Sequence, residues 1–503
     1  MSIAHCTSAT PWGVNAHPVE IEADVQGGLP RFDLVGLAST AVKESRERVR
    51  TAIRNTGFTL EPRAVTVNLA PAELPKGSNH LDLGIACALL AAHGKLPPEA
   101  LQDRLICGEL GLDGSVRPVR GALAIAERSR EVGVRELVLP RADSSLAAEI
   151  EGVRAVGVAS LAEAVGHLTG TEIVVPARQR GLAVPTRKMT DFGEIRGQAA
   201  AKRALEIAAA GAHNLLFCGP PGAGKTMLAR SMPSLLPELS RDEAIEVTKI
   251  HSMTAEAVPE GLIRQRPFRS PHSDTSVPGL VGGGLTPRPG EVSLAHRGVL
   301  FLDELPQFRR SALENLRQPL EDGCVSIVRG QVQVTFPCRF ALIAAMNPCP
   351  CGHHGDPRKD CRCGEEGRRR YRERLSGPLL DRIDMHLQIP AVAAADLRGP
   401  AGESSEAVRE RVIAARECQR LRYGIAGGVN SEMPGAASLA MLEQKNPVGR
   451  LLRRAYEQLG LSMRSLTKVT RVARTLADLD RSSSVRMEHV KEALQYRQPT
   501  ASP

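Results

Sequence analysis

The sequence predicts a multidomain α/β protein: two successive blocks of alternating strands and helices, then a helical C-terminal region. Three observations predict it. A glycine-rich loop (Gly219, Pro220, Pro221, Gly222, Ala223, Gly224, Lys225 and Thr226) follows the apolar run 215–218 and opens a helix-like segment. A second apolar run, 299–302, ends in two carboxylates, Asp303 and Glu304. Beyond about residue 393 helical signals dominate, at 404–422, 448–459, 465–479 and 484–496, the last with Ser484 as an approximate N-cap.

Taken in chain order, residues 1–170 read as short strands and helices. Residues 64–69 alternate like a strand, and the Ala-rich run 81–92 suits a buried helix. Strand and turn signals occupy 105–118, an amphipathic helix 122–132, and a further strand 136–140. Residues 171–190 hold Pro, Arg and Gly without helical period and read as a linker. The second α/β block spans 191–392, the helical region 393–497 and a frayed tail 498–503.

Composition narrows the class. The chain has 503 residues, more than one core accommodates. With 42% hydrophobic and 24% charged residues it has the balance of a soluble globular protein. No apolar run approaches the ~20 residues that span a bilayer, so no membrane partner is expected. The first residues have neither the basic nor the apolar region of a secretory signal, and a cytoplasmic location is expected. A net charge of +9 suggests an anionic partner. Aromatic residues make up only 3%, which disfavours base stacking as the main contact with nucleic acid. Eleven cysteines, an odd number, do not suggest a disulfide framework.

The first motif is a P-loop. Its glycines let the backbone curl round phosphates so that peptide N–H groups face an anion at a helix N-terminus. Lys225 is expected to reach the β- and γ-phosphates of ATP, and Thr226 to hold Mg²⁺ with Asp303 at the end of a Walker B strand. Glu304 is placed to polarise the attacking water. A third apolar run, 341–346, ends in Asn347, where an uncharged side chain would sense the γ-phosphate.

These motifs stand in the order of an AAA+ ATPase, with Gly197, Gln198 and Arg203 before the P-loop and the string LLDRID (379–384) after Asn347. More narrowly, RPFRSPH (266–272), GGG (282–284), PGEVSLAHRG (289–298) and MNPCPCG (346–352) resemble the magnesium-chelatase-like proteins of the ComM/YifB family, over nearly the whole chain. The resemblance implies a homo-hexameric ring with ATP sites between subunits. Arg382 matches the arginine finger given in trans. Arg464 matches sensor 2 in the helical lid, with Arg471 its nearest competitor. It further implies a DNA helicase that migrates branched DNA and helps integrate strands in natural transformation, with single-stranded and branched DNA as partners. The alternative is a metal-chelatase-type motor subunit that remodels a protein.

The N-terminal block is similar to the proteolytic domain of Lon, a fold of the ribosomal protein S5 domain 2 type, in the strings at 75–85 and 108–121. The serine position of that family falls on Asp82 and the lysine position on Leu123. A carboxylate and an alkyl group cannot form a Ser–Lys dyad, so no peptidase activity is expected. Ser78 lies nearby without a lysine at the family spacing.

Cys349 and Cys351 precede Cys361 and Cys363, with His353 and His354 between. Four thiolates suit a structural Zn²⁺, with an iron–sulfur cluster as the alternative, and either histidine could replace one cysteine. For nucleic acid, 324–337 reads as a β-hairpin with Arg329 and Gly330 at its tip. It looks like the channel-facing hairpin of replicative MCM helicases, whose chelatase relatives share it. A second candidate is the insert 263–288, with Arg264, Arg266, Arg269 and Arg288. The basic run 368–374 reads equally as a solvated helix face. Arginine–phosphate contacts would give sequence-independent, salt-sensitive binding.

Overall fold

A computed structural model describes residues 2–36, 40–74, 76, 79–182, 189–254, 261–284, 287–329, 332–356, 358–392, 402–424 and 428–497. The first block is built on a seven-stranded mixed sheet. Its spatial order is Arg31–Val35, Ala64–Ala70, Asn15–Gln26, Ser2–Trp12, Arg104–Ile106, Glu136–Pro140, Ala155–Val158. The first two strands of the chain form a long antiparallel hairpin that pairs Ser2 with Val25 and Trp12 with Asn15. Its inward residues on Ser2–Trp12 are small (Ala4, Cys6, Ser8 and Thr10 are buried), so the alternation is nearly invisible to a hydropathy reading. The helix Asp82–Ala92 is buried at every residue, as a run without a polar stripe requires.

Asp82 begins that helix, fully enclosed, with Arg48 Nε 3.1 Å from its carboxylate and the Leu110 N–H at 3.4 Å. Burial pushes its carboxyl pKa up, against the pull of Ser45 and Arg48. Leu123 is buried in the adjoining apolar cluster. Ser78 lies outside the described residues.

The second block carries a five-stranded, all-parallel sheet in the order Phe268–Arg269, Val299–Leu302, Ala341–Met346, Leu215–Cys218, Met385–Gln388. The three inner strands are buried throughout, as expected when both faces of a parallel sheet are covered. Alternate side chains divide between two cores. Leu215, Phe217, Val299, Phe301, Ile343 and Ala345 face the cluster with Leu205, Leu228, Val412 and Val469. Leu216, Leu300, Leu302, Leu342 and Ala344 face the cluster with Phe308, Leu313 and Leu379. The C-terminal helix Ser405–Tyr423 packs against the helices Ala199–Gly211 and Lys225–Leu235, and Met463–Leu479 packs against Ala199–Gly211, so both share the core on the first face.

Some sequence expectations need correction. The final helix is Met487–Gln495, so Ser484 is outside its cap; the Ser484 carbonyl instead accepts the Ser482 hydroxyl at 2.7 Å. The helix Gly435–Glu443 was not expected, because Ser438 is its one fully buried residue and no apolar stripe marks it. Part of the insert 263–288 is the edge strand of the second sheet, with Phe268 opposite Val299 and Arg269 opposite Leu300. Residues 173–181, in the expected linker, have no regular structure yet are anchored. The buried Glu149 accepts the N–H groups of Arg180 and Gly181, both at 2.6 Å, and pairs with Arg241 at 3.1 Å. Residues 183–188 lie outside the described residues.

Candidate functional site: a phosphate cradle and a distant arginine pair

The loop 219–224 joins the carboxyl end of Leu215–Cys218 to the helix Lys225–Leu235. Two of its glycines are needed for backbone conformation: Gly222 at φ +77° and Gly224 at φ +85° lie in the left-handed region. A Cβ on either would meet nothing within 4 Å, so the cradle they shape is open. Gly219 is needed for space instead, since a Cβ there would stand 2.4 Å from the Ile389 carbonyl oxygen. Pro220, Pro221 and Ala223 complete the loop, and the Gln198 amide donates to the Ala223 carbonyl at 3.1 Å and to the Pro390 carbonyl at 2.8 Å. Gln198 has a left-handed backbone (φ +54°). In the sequence Gln198 stands in the motif order before the P-loop, with nothing there to give it a contact with the loop.

Lys225 Nζ donates to the Gly219 carbonyl at 2.7 Å, the Pro220 carbonyl at 2.9 Å and Asn347 Oδ1 at 3.1 Å. Burial lowers its pKa, opposed chiefly by the carboxylate of Asp303. The Thr226 hydroxyl donates to Asp303 Oδ2 at 2.7 Å, and the Glu304 N–H donates to Asp303 Oδ1 at 2.9 Å. Glu304 is exposed and held at φ +51°, a conformation non-glycine residues adopt at some cost. Lys225, Thr226, Asp303, Glu304 and Asn347 thus converge at the carboxyl ends of three adjacent strands, where ligands gather in open α/β sheets. The donor set suits a triphosphate. Backbone N–H groups and an ammonium meet the anion, and a hydroxyl beside a carboxylate meets a hard cation.

The structure places Arg382 and Arg464 elsewhere. Arg382 comes just before Met385–Gln388, whose first residue lies opposite Leu215, so it sits at the amino ends of the strands. A four-residue strand, roughly 13 Å, separates that level from the P-loop. Arg382 Nη2 lies 2.6 Å from Glu321 Oε1, and Arg464 Nη2 lies 3.4 Å from the same oxygen. Both line a cavity of about 810 Å³. Arg464 therefore does not act on its own protomer's P-loop in this arrangement. Arg471 donates to the Met433 carbonyl at 2.6 and 3.0 Å. At the same edge the buried Asp384 accepts Lys468 at 2.5 Å and the Asn214 N–H at 2.8 Å. Burial pushes its carboxyl pKa up, but Lys468 and then His213 outweigh that and hold it far below the usual range.

Cys349, Cys351, Cys361 and Cys363 come together, with sulfurs 3.4 Å (349–351), 3.6 Å (349–361) and 3.7 Å (351–361) apart. Tetrahedral zinc thiolates at about 2.3 Å would set sulfurs roughly 3.8 Å apart, so the donor set fits. Neither histidine belongs to the group: the His353 ring faces Asp356 at 3.6 Å, and the His354 N–H donates to Cys349 Sγ at 3.4 Å. The clip touches the cradle, since Gly352 lies directly against the Pro221 ring.

Of the arginines proposed for nucleic acid, Arg266 is corrected. Its side chain is largely buried, with Nη2 2.8 Å from Glu243 and Nη1 donating to the Arg297 carbonyl at 2.8 Å, so its guanidinium braces the fold. Arg269 is half-buried and takes both carboxylate oxygens of Glu291, at 2.7 and 2.8 Å. Arg264 pairs with Glu238 at 2.7 Å near the surface, and Arg288 is exposed on the strand Arg288–Pro289. The hairpin is present as Cys324–Arg329 and Val332–Pro337, with Arg329 opposite Val332. Gly330 and the Arg329 side chain lie outside the described residues. The basic run forms the helix Glu365–Arg372, anchored by the buried Tyr371, with Arg369 and Arg370 in solvent.

Family models described as "Magnesium chelatase, subunit ChlI" and "Magnesium chelatase, subunit ChlI C-terminal" match residues 191–397 and 402–497, and "Subunit ChlI of Mg-chelatase" matches 21–143. The chain is 42% identical over 501 residues to the uncharacterized protein YifB of Escherichia coli, covering 99% of this chain and 97% of that protein. It is 41% identical over 509 residues to the competence protein ComM of Haemophilus influenzae, covering 99% and 98%. The magnesium-chelatase 38 kDa subunit of Rhodobacter capsulatus is 27% identical over 183 residues, 32% of this chain and 51% of that subunit. Among the described residues, no helix is long and apolar enough to cross a membrane.

Proposed function

The chain belongs to the ComM/YifB family of magnesium-chelatase-like proteins, and from that premise we propose that it is an ATP-hydrolysing AAA+ motor that acts on branched DNA during strand integration. One observation carries the ATPase part: Lys225, Thr226, Asp303, Glu304 and Asn347 meet at one sheet edge, while Arg382 and Arg464 meet at the other. A protomer thus holds two halves of a catalytic site that it cannot join by itself. Adjoining copies in a closed ring join them, as cyclic head-to-tail interfaces do. A hexamer is the expected ring.

In this reading the P-loop backbone and Lys225 hold the phosphates, and Glu304 orients the attacking water. Asn347 reads the terminal phosphate, and a neighbour's Arg382 and Arg464 stabilise the charge that develops on it. Mg²⁺, held by Thr226 and Asp303, would neutralise phosphate charge there. Residues 1–170 form a scaffold with a Lon-like fold and no peptidase activity, 191–392 the ATPase core, and 393–497 the lid. The cytoplasm is its place of work.

DNA as the substrate is supported by the competence relative and by the hairpin 324–337. Arg329, Arg264 and Arg288 are the candidate contacts. A synthetic four-way junction tests it. Wild-type protein with ATP is expected to resolve the junction into duplexes, and Lys225→Ala is expected to leave it intact. ATP turnover indifferent to DNA, with no junction processing, would favour a chelatase-type motor that remodels a protein.

The cysteine clip is proposed to hold a structural Zn²⁺. Protein purified without chelator is expected to carry about one zinc per chain. Cys361→Ser/Cys363→Ser is expected to carry none and to bind ATP more weakly, because the clip abuts Pro221. Metal-free wild-type protein by elemental mass spectrometry would contradict the assignment.

A further inference from the structure

We propose that Glu321 is a positioning residue: it holds Arg382 and Arg464 together at the subunit edge until a neighbour's triphosphate takes them. This rests on the shared-site reading above and adds a residue to it. Three separate elements converge on one carboxylate oxygen. Glu321 lies near the end of the helix Arg317–Asp322, Arg382 just after the short helix Gly377–Leu380, and Arg464 in the first turn of Met463–Leu479. Other cations of the same cavity are already committed, Lys468 to Asp384 and Arg471 to the Met433 carbonyl.

The contact is built for exchange. The Arg382 side chain is only 13% exposed, whereas that of Glu321 is 44% and that of Arg464 is 64% exposed. Arg382 is packed in place by its Nη1 bond to the Pro378 carbonyl at 2.6 Å, while its buried Nε has no acceptor among the described residues. A guanidinium with an unsatisfied N–H favours an anion with several oxygens. Two guanidiniums against a single carboxylate leave a net positive charge, which a multiply charged phosphate neutralises better. A half-exposed carboxylate holds such a pair weakly, so it keeps the arginines aimed without outbidding the ligand. A γ-phosphate from the adjoining protomer would displace Glu321, whereas a diphosphate, lacking that group, would leave the arginines where they are.

The test compares full-length wild type and Glu321→Gln at ring-forming concentration, with a fluorescent ATPγS analogue and the matching ADP analogue as probes. With the competing charge removed, the ratio of triphosphate to diphosphate affinity is expected to rise about two- to tenfold. In an Arg382→Ala/Arg464→Ala background, where Glu321 has neither arginine to hold, Glu321→Gln is expected to leave the ratio unchanged, which a merely structural role would not predict. An unchanged ratio in the single variant, or a rise that persists with both arginines removed, overturns the proposal. Wild-type protein that turns over ATP equally well as an isolated protomer overturns the shared site itself and this role with it, and that outcome is read without any Glu321 variant.

Discussion

Glu304→Gln is expected to bind ATP with near wild-type affinity and to hydrolyse it about 10²- to 10⁴-fold more slowly. The structure explains why the two effects separate. The groups assigned to the nucleotide, Lys225 on its carbonyls and Asn347, and Thr226 on Asp303, make no bond to the Glu304 side chain among the contacts that fix them. What fixes Glu304 is its backbone: its N–H is on Asp303 Oδ1 at 2.9 Å and its φ is +51°. Glutamine is nearly the same size and keeps both features, but its amide cannot take a proton from water. Equilibrium binding of a fluorescent ATP analogue and single-turnover hydrolysis read the two effects independently. Turnover close to wild type would remove Glu304 from its role.

Arg382→Ala is expected to lower turnover by about 10³-fold or more, the scale of an arginine finger, with little change in fold. Its structural duties are met by its backbone. The Arg382 carbonyl accepts Lys468 Nζ at 2.8 Å and the Asn214 amide at 3.3 Å, and alanine keeps both. The lost side chain contacts only Glu321 and the Pro378 carbonyl among the described hydrogen bonds and ion pairs. A folded variant that hydrolyses ATP at the wild-type rate would show that the distant arginine pair is no part of the catalytic site.

The meeting of Lys225, Thr226, Asp303, Glu304 and Asn347 was legible in the sequence because each part is local. A glycine-rich loop, an apolar strand ending in Asp303 and Glu304, and an apolar strand ending in Asn347 are contiguous strings whose meaning follows from strand and turn chemistry. The parallel strands were equally legible, since burial on both faces leaves an unbroken apolar run. The N-terminal hairpin was hidden by small inward residues, Ala4, Cys6, Ser8 and Thr10. Arg266 and Arg269 look like a surface cluster in the string, yet each is consumed by a glutamate from another element, Glu243 and Glu291. Glu321 carried no signal either. Its meeting with Arg382 and Arg464 exists only once helices distant in sequence are folded against one sheet edge.

The most direct measurement mixes two inactive proteins. Lys225→Ala lacks the lysine of the glycine-rich loop but keeps its arginines, and Arg382→Ala lacks that guanidinium but keeps its loop. In mixed rings, verified by native mass spectrometry, an intact cradle meets an intact Arg382 wherever the two variants adjoin in the right order. A site shared between protomers predicts that ATP hydrolysis returns on mixing and peaks at intermediate ratios. Verified mixed assemblies that stay inactive at every ratio would contradict it.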